Sequence, residues 1–370
     1  MKIFQSLQRK RQQEQEQEGD RLSNLPDDII DRVLYFLDAV SAVQTSVLSK
    51  RFIYLWTSLP VLKFHDPLLF HSFVDHFLSL RDASTNVHAL NFTCHDELDD
   101  DGHVVDSIID YVTLTPTIST SIQILSILTE CVVEKLPQLS ICQSLTTLKF
   151  ADISTETPTT FDFVSLERLC LFDCRFECGE EEELDLFRGC VSLRCLFLHD
   201  CQYYGRFRRF KIFAPHLVDF SIKGMRVDEV FGSDCVVELF AAKLQSFSYR
   251  DTDLYDFFIE LNLSFLERVD IAMDYLAADA AMFSDLLNGR SSPFTRVQTF
   301  GLNMDKPSSS YVIPTNVMAY LFGGSPGFVF FGWEGMEMVL RVKSNLIEDG
   351  FQLTSTALPF RGLRDVLLVS

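Results

Sequence analysis

Residues 145–150, LTTLKF, and 166–171, LERLCL, repeat one phrase: an apolar residue, two of any kind, an apolar residue, one of any kind, and an apolar residue. The phrase recurs in both directions from there. Upstream it reads Ile122/Leu125/Ile127, Val87/Leu90/Phe92 and Leu59/Leu62/Phe64. Downstream it reads Leu193/Leu196/Leu198, Leu217/Phe220/Ile222, Leu244/Phe247/Tyr249, Leu266/Val269/Ile271 and Val297/Phe300/Leu302. Neighbouring phrases begin 21 to 35 residues apart. Within each phrase the last two apolar positions alternate with a variable one, the period of a strand with one buried face. One such strand cannot bury its inner face alone, but stacked neighbours build a continuous core.

The mean interval falls in the window of about 20–29 residues that marks leucine-rich repeats. The ninth slot of two repeats holds Cys174 and Cys201, where such repeats often place Asn or Cys. The expected fold class is α+β: a small three-helix unit followed by an α/β leucine-rich-repeat solenoid with a curved parallel sheet on its concave face.

The three-helix unit precedes the first phrase. Leu25-Pro26-Asp27-Asp28 reads as a helix start, with proline at the first helical position and two aspartates at the positive end of the dipole. Ile29, Ile30, Val33, Leu34 and Leu37 follow at helical spacing. Val40, Val43 and Val47 mark a second short helix, and Ser49 can cap a third that carries Phe52, Leu55 and Trp56. Such a unit lies below the roughly 40 residues that normally fold alone. It carries more apolar surface than it can bury, so it packs on the rest of the chain, offers that surface to a partner, or does both.

Composition narrows the functions. The 370 residues carry 52 acidic and 32 basic side chains, a formal charge of −20. That charge repels phosphate backbones and anionic membranes, so the expected partner is a protein. With 47% hydrophobic residues the chain can bury a large core. The first residues lack the apolar stretch of a secretory signal. The ten cysteines are irregularly spaced, so a cytosolic or nuclear chain with reduced thiols is expected. The uncharged stretch from Pro307 to Trp333 is broken by prolines and glycines; it reads as loop plus short buried strands and not as a membrane span.

The segment LPDDIIDRVLYFLDAVSAVQTSVLSKRFIYLWTSLPVLKF, residues 25–64, resembles the plant type of F-box, and the tract behind it resembles the repeats of plant F-box/leucine-rich-repeat proteins. Ile212 to Phe220, IFAPHLVDF, is similar to a phrase common in those repeats. Phe52 departs from the pattern, standing where that family usually has Trp. The resemblance divides the chain into a polar tail (1–19), the F-box (20–66), the repeats (67–305) and a C-terminal region with degenerate repeats (306–370). It implies the substrate receptor of an SCF-type ubiquitin ligase, with a Skp-type adaptor and, through it, a cullin as partners, and no catalysis of its own. The alternative is a repeat scaffold or inhibitor whose F-box engages no adaptor. The residues that the resemblance turns toward the adaptor are Leu25, Pro26, Ile29, Ile30, Leu34, Val47, Lys50 and Trp56. Val33, Leu37 and Phe52 serve either that face or the packing of the helices.

No nucleotide loop, dinucleotide fingerprint or His-Glu-x-x-His is present in the sequence, and no catalytic residue, metal site or cofactor is expected. Cys170, Cys174 and Cys178 lack the Cys-x-x-Cys pairs of a zinc site. The alternating basic and aromatic residues from Tyr203 to Lys211 fit a strand with one wet face. The acidic clusters at 96–101 and 180–185 lack the spaced pattern of a calcium loop.

The fifth and seventh slots of each repeat point away from the core. Phe172 and Phe197 occupy them in successive repeats, beside His199, Lys223 and Arg250. These five are the candidate substrate-binding residues, suited to a partly acidic segment with an apolar anchor. Leu363, Val366 and Leu368 restate the phrase, so the expectation is an uncovered sheet edge near the C-terminus, protected by folding back or by self-association, or else a chain shortened relative to its relatives.

Overall fold

All ten phrases become strands, and the strands pair in chain order. The structure is a computed structural model that describes residues 25–65, 70–94, 101–133, 136–155, 160–179, 182–227, 236–251, 256–259, 265–273, 299–305, 328–334 and 337–343. The repeat strands are Val61–His65, Ala89–Thr93, Ile124–Val132, Thr147–Ser154, Arg168–Phe172, Cys195–His199, Asp219–Lys223, Ser246–Asp251, Arg268–Met273 and Thr299–Asp305. All nine junctions are parallel and hold one register, so each slot of a phrase lies beside the same slot of the next. Leu148, for instance, pairs Leu125 on one side and Leu169 on the other. Every apolar residue of the first eight phrases is buried. Each such leucine or phenylalanine contributes about 1.5–3 kcal/mol by leaving water.

The return segments change along the array. After the first two strands they are helices, Phe70–Ser79 and Asp101–Leu114, and these are among the longer intervals. A helix rises 1.5 Å per residue against about 3.3 Å for a strand, so a helical return consumes more chain. Later returns are extended. Arg175–Gly179, Gln202–Gly205 and Arg226–Val227 form one side ladder; Glu183–Leu184, Arg209–Phe213, Val236–Phe240 and Asp256–Ile259 form a second sheet. The eighth slot of four repeats holds a left-handed residue: Asp152 (φ 59°) within the fourth strand, and Asp173 (52°), Asp200 (56°) and Gly224 (55°) between the repeat strand and the first ladder. Aspartate tolerates this region better than most residues. At Gly224 a Cβ would meet Asp200 Oδ1 at 2.3 Å, so a larger residue there would have to displace the Asp200 carboxylate.

The N-terminal unit departs from expectation in its third helix. The first helix, Asp27–Phe36, begins one residue after Pro26, whose carbonyl accepts from the N–H groups of Ile29 and Ile30 at 3.1 Å. The second, Ala39–Gln44, is capped by Asp38, which accepts from Ser41 N at 2.8 Å, and ends in a 3₁₀ turn at Thr45–Val47. The third is reduced to turns over 50–54 and a 3₁₀ turn at Leu55–Ser58. Ser49 caps no helix; its hydroxyl is buried without a hydrogen bond.

At the other end, the parallel series stops at the tenth strand, which pairs antiparallel with Glu337–Lys343; that strand pairs antiparallel with Phe328–Glu334. This antiparallel pair of strands covers the edge of the tenth strand. The restated phrase at 363–368 and the tail at 1–19 lie outside the described residues. Among the described residues no helix is long and apolar enough to cross a membrane.

A buried cation joins the N-terminal unit to the array. Arg81 is 7% exposed. It donates to the carbonyls of Trp56 (3.4 Å) and Leu59 (2.7 Å) and to the hydroxyl of Tyr111 (2.9 Å). Burial pushes its pKa down, and Tyr111 opposes that shift. Around it Trp56 packs on Phe77 at 5.0 Å, and Asp82 N donates to Thr57 O at 3.2 Å. Replacing Arg81 by Met keeps the bulk but removes the guanidinium donors from Leu59 O and the Tyr111 hydroxyl, while Trp56 O keeps the Leu59 N–H. The expected loss is about 2–4 kcal/mol in urea unfolding. A change within about 0.5 kcal/mol would show that water replaces the guanidinium without penalty.

Candidate functional site

Two surfaces stand out, one on each part of the chain. Eight of the eighteen exposed large apolar side chains among the described residues lie between positions 29 and 54, which makes this unit the main unpartnered apolar surface. Ile29, Val33 and Phe36 form a stripe along one face of the first helix, and Val47 (87% exposed), Leu48, Ile53 and Tyr54 (75%) project from the turns that follow. Arg51 ties the two regions together by donating to Leu25 O and pairing with Asp27.

The eight residues expected to face an adaptor divide between surface and core. Pro26, Ile29, Val47 and Lys50 are exposed and Leu25 is half-buried. Ile30, Leu34 and Trp56 are buried in the chain's own core, so they hold the helices under that face and do not form it. Phe52 is buried with them, whereas Val33 is exposed and Leu37 half-buried. The sequence reading left out Phe36, Leu48, Ile53 and Tyr54. Phe36 was legible as the continuation of Ile29 and Val33 at helical spacing. The other three stand in turns or next to them, where no periodicity marks a face.

The second surface is the outer face of the repeat sheet. Phe172, His199, Lys223 and Arg250 are consecutive register partners in the fifth to eighth strands. Phe197 lies two slots away, in the fifth, beside Cys170. The His199 ring meets Phe172 edge to face at 5.2 Å and Phe197 at 6.1 Å. Its Nε2 lies 2.7 Å from Ser221 Oγ. Lys149 places its ammonium 5.5 Å from the centre of the Phe172 ring, and Lys223 pairs with Asp200 at 3.1 Å. All five expected substrate residues are therefore neighbours and at least partly exposed. Beyond Phe172 the seventh-slot row runs on through Ala151 and Leu128. These two, with Cys94, Lys149, Asp152 and Phe172, line a shallow hollow of ≈ 260 Å³.

The remaining candidates resolve into structure. No group of three metal-ligating side chains occurs among the described residues. Cys174 donates to Phe172 O and Cys178 to Phe176 O, each as a buried thiol. Burial pushes Cys178 up to about 12, and Cys142 and Cys190 to about 11, the opposite of an activated nucleophile. Between Tyr203 and Lys211, Phe207 and Phe210 are buried, while Arg209 pairs with Glu183 and Glu238 and Lys211 with Glu183.

Comparison with known proteins agrees with this division. Residues 22–64 match the F-box domain, the segment that carries the apolar face. Along most of its length the chain is similar to two putative F-box/FBD/LRR-repeat proteins of Arabidopsis thaliana. One is 28% identical over 70% of this chain and 56% of the relative; the other is 27% identical over 69% and 58%. It is also 31% identical to Arabidopsis F-box/LRR-repeat protein 13 over 42% of this chain and 35% of the relative. The chain thus spans little more than half the length of the relatives it matches most extensively.

His199 provides a check on the geometry of the outer face. Burial lowers its pKa first and Lys223 lowers it further, against Asp200 and Asp173. A proton-detected titration is expected to give a midpoint below 6.5, moving up in Lys223→Met. The unfolded chain protonates first as pH falls. The stability that His199 contributes is therefore complete above its ordinary value and lost between that value and the lower folded one.

Proposed function

We propose that this F-box/leucine-rich-repeat chain is the substrate-receiving subunit of an SCF-type ubiquitin ligase. The F-box binds a Skp-type adaptor, and through it a cullin; the outer face of the repeat sheet holds a protein substrate. The chain contributes no catalysis and needs no cofactor in this role, and it acts in the nucleus or the cytoplasm. The observation that carries the reading is the coincidence of the F-box match at 22–64 with the densest exposed apolar surface among the described residues. An apolar face left open on a unit this small suits a permanent partner. The mixed aromatic and basic character of the sheet face supports the second half of the proposal. The Arg81 joint supports a fixed placement of one surface relative to the other.

The two halves are separable by mutation. Ile29→Glu and Val47→Glu put charge on exposed positions, so the fold is expected to survive while co-purification with a Skp-type adaptor is lost. Leu25→Ala combined with Pro26→Ala removes an anchor and a pre-set helix start, and is expected to weaken the adaptor complex about tenfold or more. Adaptor binding unchanged in all three chains would favour the scaffold whose F-box engages no adaptor.

A further inference from the structure

The seventh slot of the repeats has an order that the individual residues do not reveal. From the third strand to the eighth it reads Leu128, Ala151, Phe172, His199, Lys223, Arg250, each the direct register partner of the next. Three apolar residues are followed by three basic or protonatable ones, with no acidic side chain among them. The chain as a whole carries −20, so this row stands against the general charge. Its apolar half is concave: Leu128, Ala151 and Phe172, with Cys94, Lys149 and Asp152, wall the hollow of ≈ 260 Å³, and the Lys149 ammonium stands 5.5 Å from the centre of the Phe172 ring.

We infer that this row is a bipartite docking track for an extended, acidic peptide segment that crosses the strands, with an aliphatic side chain in the Leu128/Ala151/Phe172 hollow and a carboxylate over Lys223 and Arg250. The inference rests on the proposal that the sheet face receives the substrate, and it names the substrate's chemistry. Neighbouring strands lie about 4.8 Å apart, so three steps from Ala151 to Lys223 cover about 14 Å. An extended ligand advances about 3.3 Å per residue. Anchor and acid are therefore separated by about four residues; a helix would need about nine.

The acidic residues nearby are compatible with this. Asp200 pairs with Lys223 in a half-exposed contact, the kind of surface pair that contributes little and exchanges readily. Asp152 and Asp173 occupy the eighth slot beside the row, and Asp219 and Asp270 stand in the third and fifth slots. Together they oppose a phosphate backbone running over the face, whereas a single carboxylate at the seventh slot meets cations first.

The test is selection of a displayed library of random linear peptides on the immobilised full chain. The enriched peptides are expected to share an aliphatic residue followed about four positions later by Asp or Glu. A synthetic peptide of that consensus should bind about tenfold or more weakly to Phe172→Ala and to Arg250→Glu, and more weakly as salt rises. Arg250→Glu alters only a half-exposed position, and near-ultraviolet circular dichroism verifies that both variants are folded. No enrichment, a consensus without an acidic residue, a spacing near nine, or equal binding to Arg250→Glu would each overturn the inference. So would tighter binding of a single-stranded oligonucleotide than of the peptide. Adaptor co-purification on the same preparations separates the two proposals. An adaptor bound without peptide enrichment sinks the docking track alone, and enrichment without adaptor sinks the receptor reading alone.

Discussion

The repeat array depends on parallel pairing that does not slip within the phrases; the one shift at the nine junctions falls after Leu128, beyond the third phrase. Side chains alternate across a strand, so a shift of one residue at any junction would send the apolar set to solvent and the outward set into the core. The nine parallel junctions hold the same slot against the same slot. The leucines enforce this because each is buried against its two register neighbours. The consequence reaches the opposite face. Residues far apart in sequence, such as Leu128 and Arg250, fall into one row because their repeats were locked together from the other side.

The same constraint explains what was legible in the sequence. The phrase marks the strands because burial imposes a period of two, and a period survives any choice of variable residues. The return segments have no such signature. Helix Asp101–Leu114 and strand Arg209–Phe213 perform one structural task in different repeats, and the array tolerates either as long as it covers the core. The turn at 50–58 was read as a helix because Phe52, Leu55 and Trp56 are spaced as one. Their burial is supplied by Phe77 and the first repeat, and tertiary packing can fix apolar residues without a helix. The hairpin at 328–343 was invisible as a pair for a related reason. Antiparallel partners need no fixed repeat length, so no spacing announces them.

Site residues were legible to the degree that they share the repeat period. Phe172, His199, Lys223 and Arg250 could be placed by counting slots, and the register puts them side by side. The F-box face could not be counted in this way. Ile30 and Leu34 look like Ile29 and Val33 in sequence, yet the first pair is buried and the second exposed, because only one flank of that helix meets the second helix and the first repeat. Which flank is covered is a fact of packing, and a one-residue difference in helical phase decides it.

The Arg81 joint links these observations. A unit of some forty residues has little core of its own, and here it leans on Phe77 and on the buried guanidinium that bonds the carbonyls of Trp56 and Leu59. Such a cation is expensive to desolvate, and an apolar contact would hold the two parts together at less expense. A guanidinium with three fixed acceptors does what an apolar contact cannot: its donors have set directions, so it resists sliding and rotation as well as separation. Lys63 adds a second directional contact from the outer side of the first strand, donating to Tyr35 O at 3.0 Å. The first repeat is thereby gripped on both faces, from the core through Arg81 and from outside through Lys63. With the register rigid along the array, the orientation set at this joint is carried strand by strand to the row at Phe172 and Arg250.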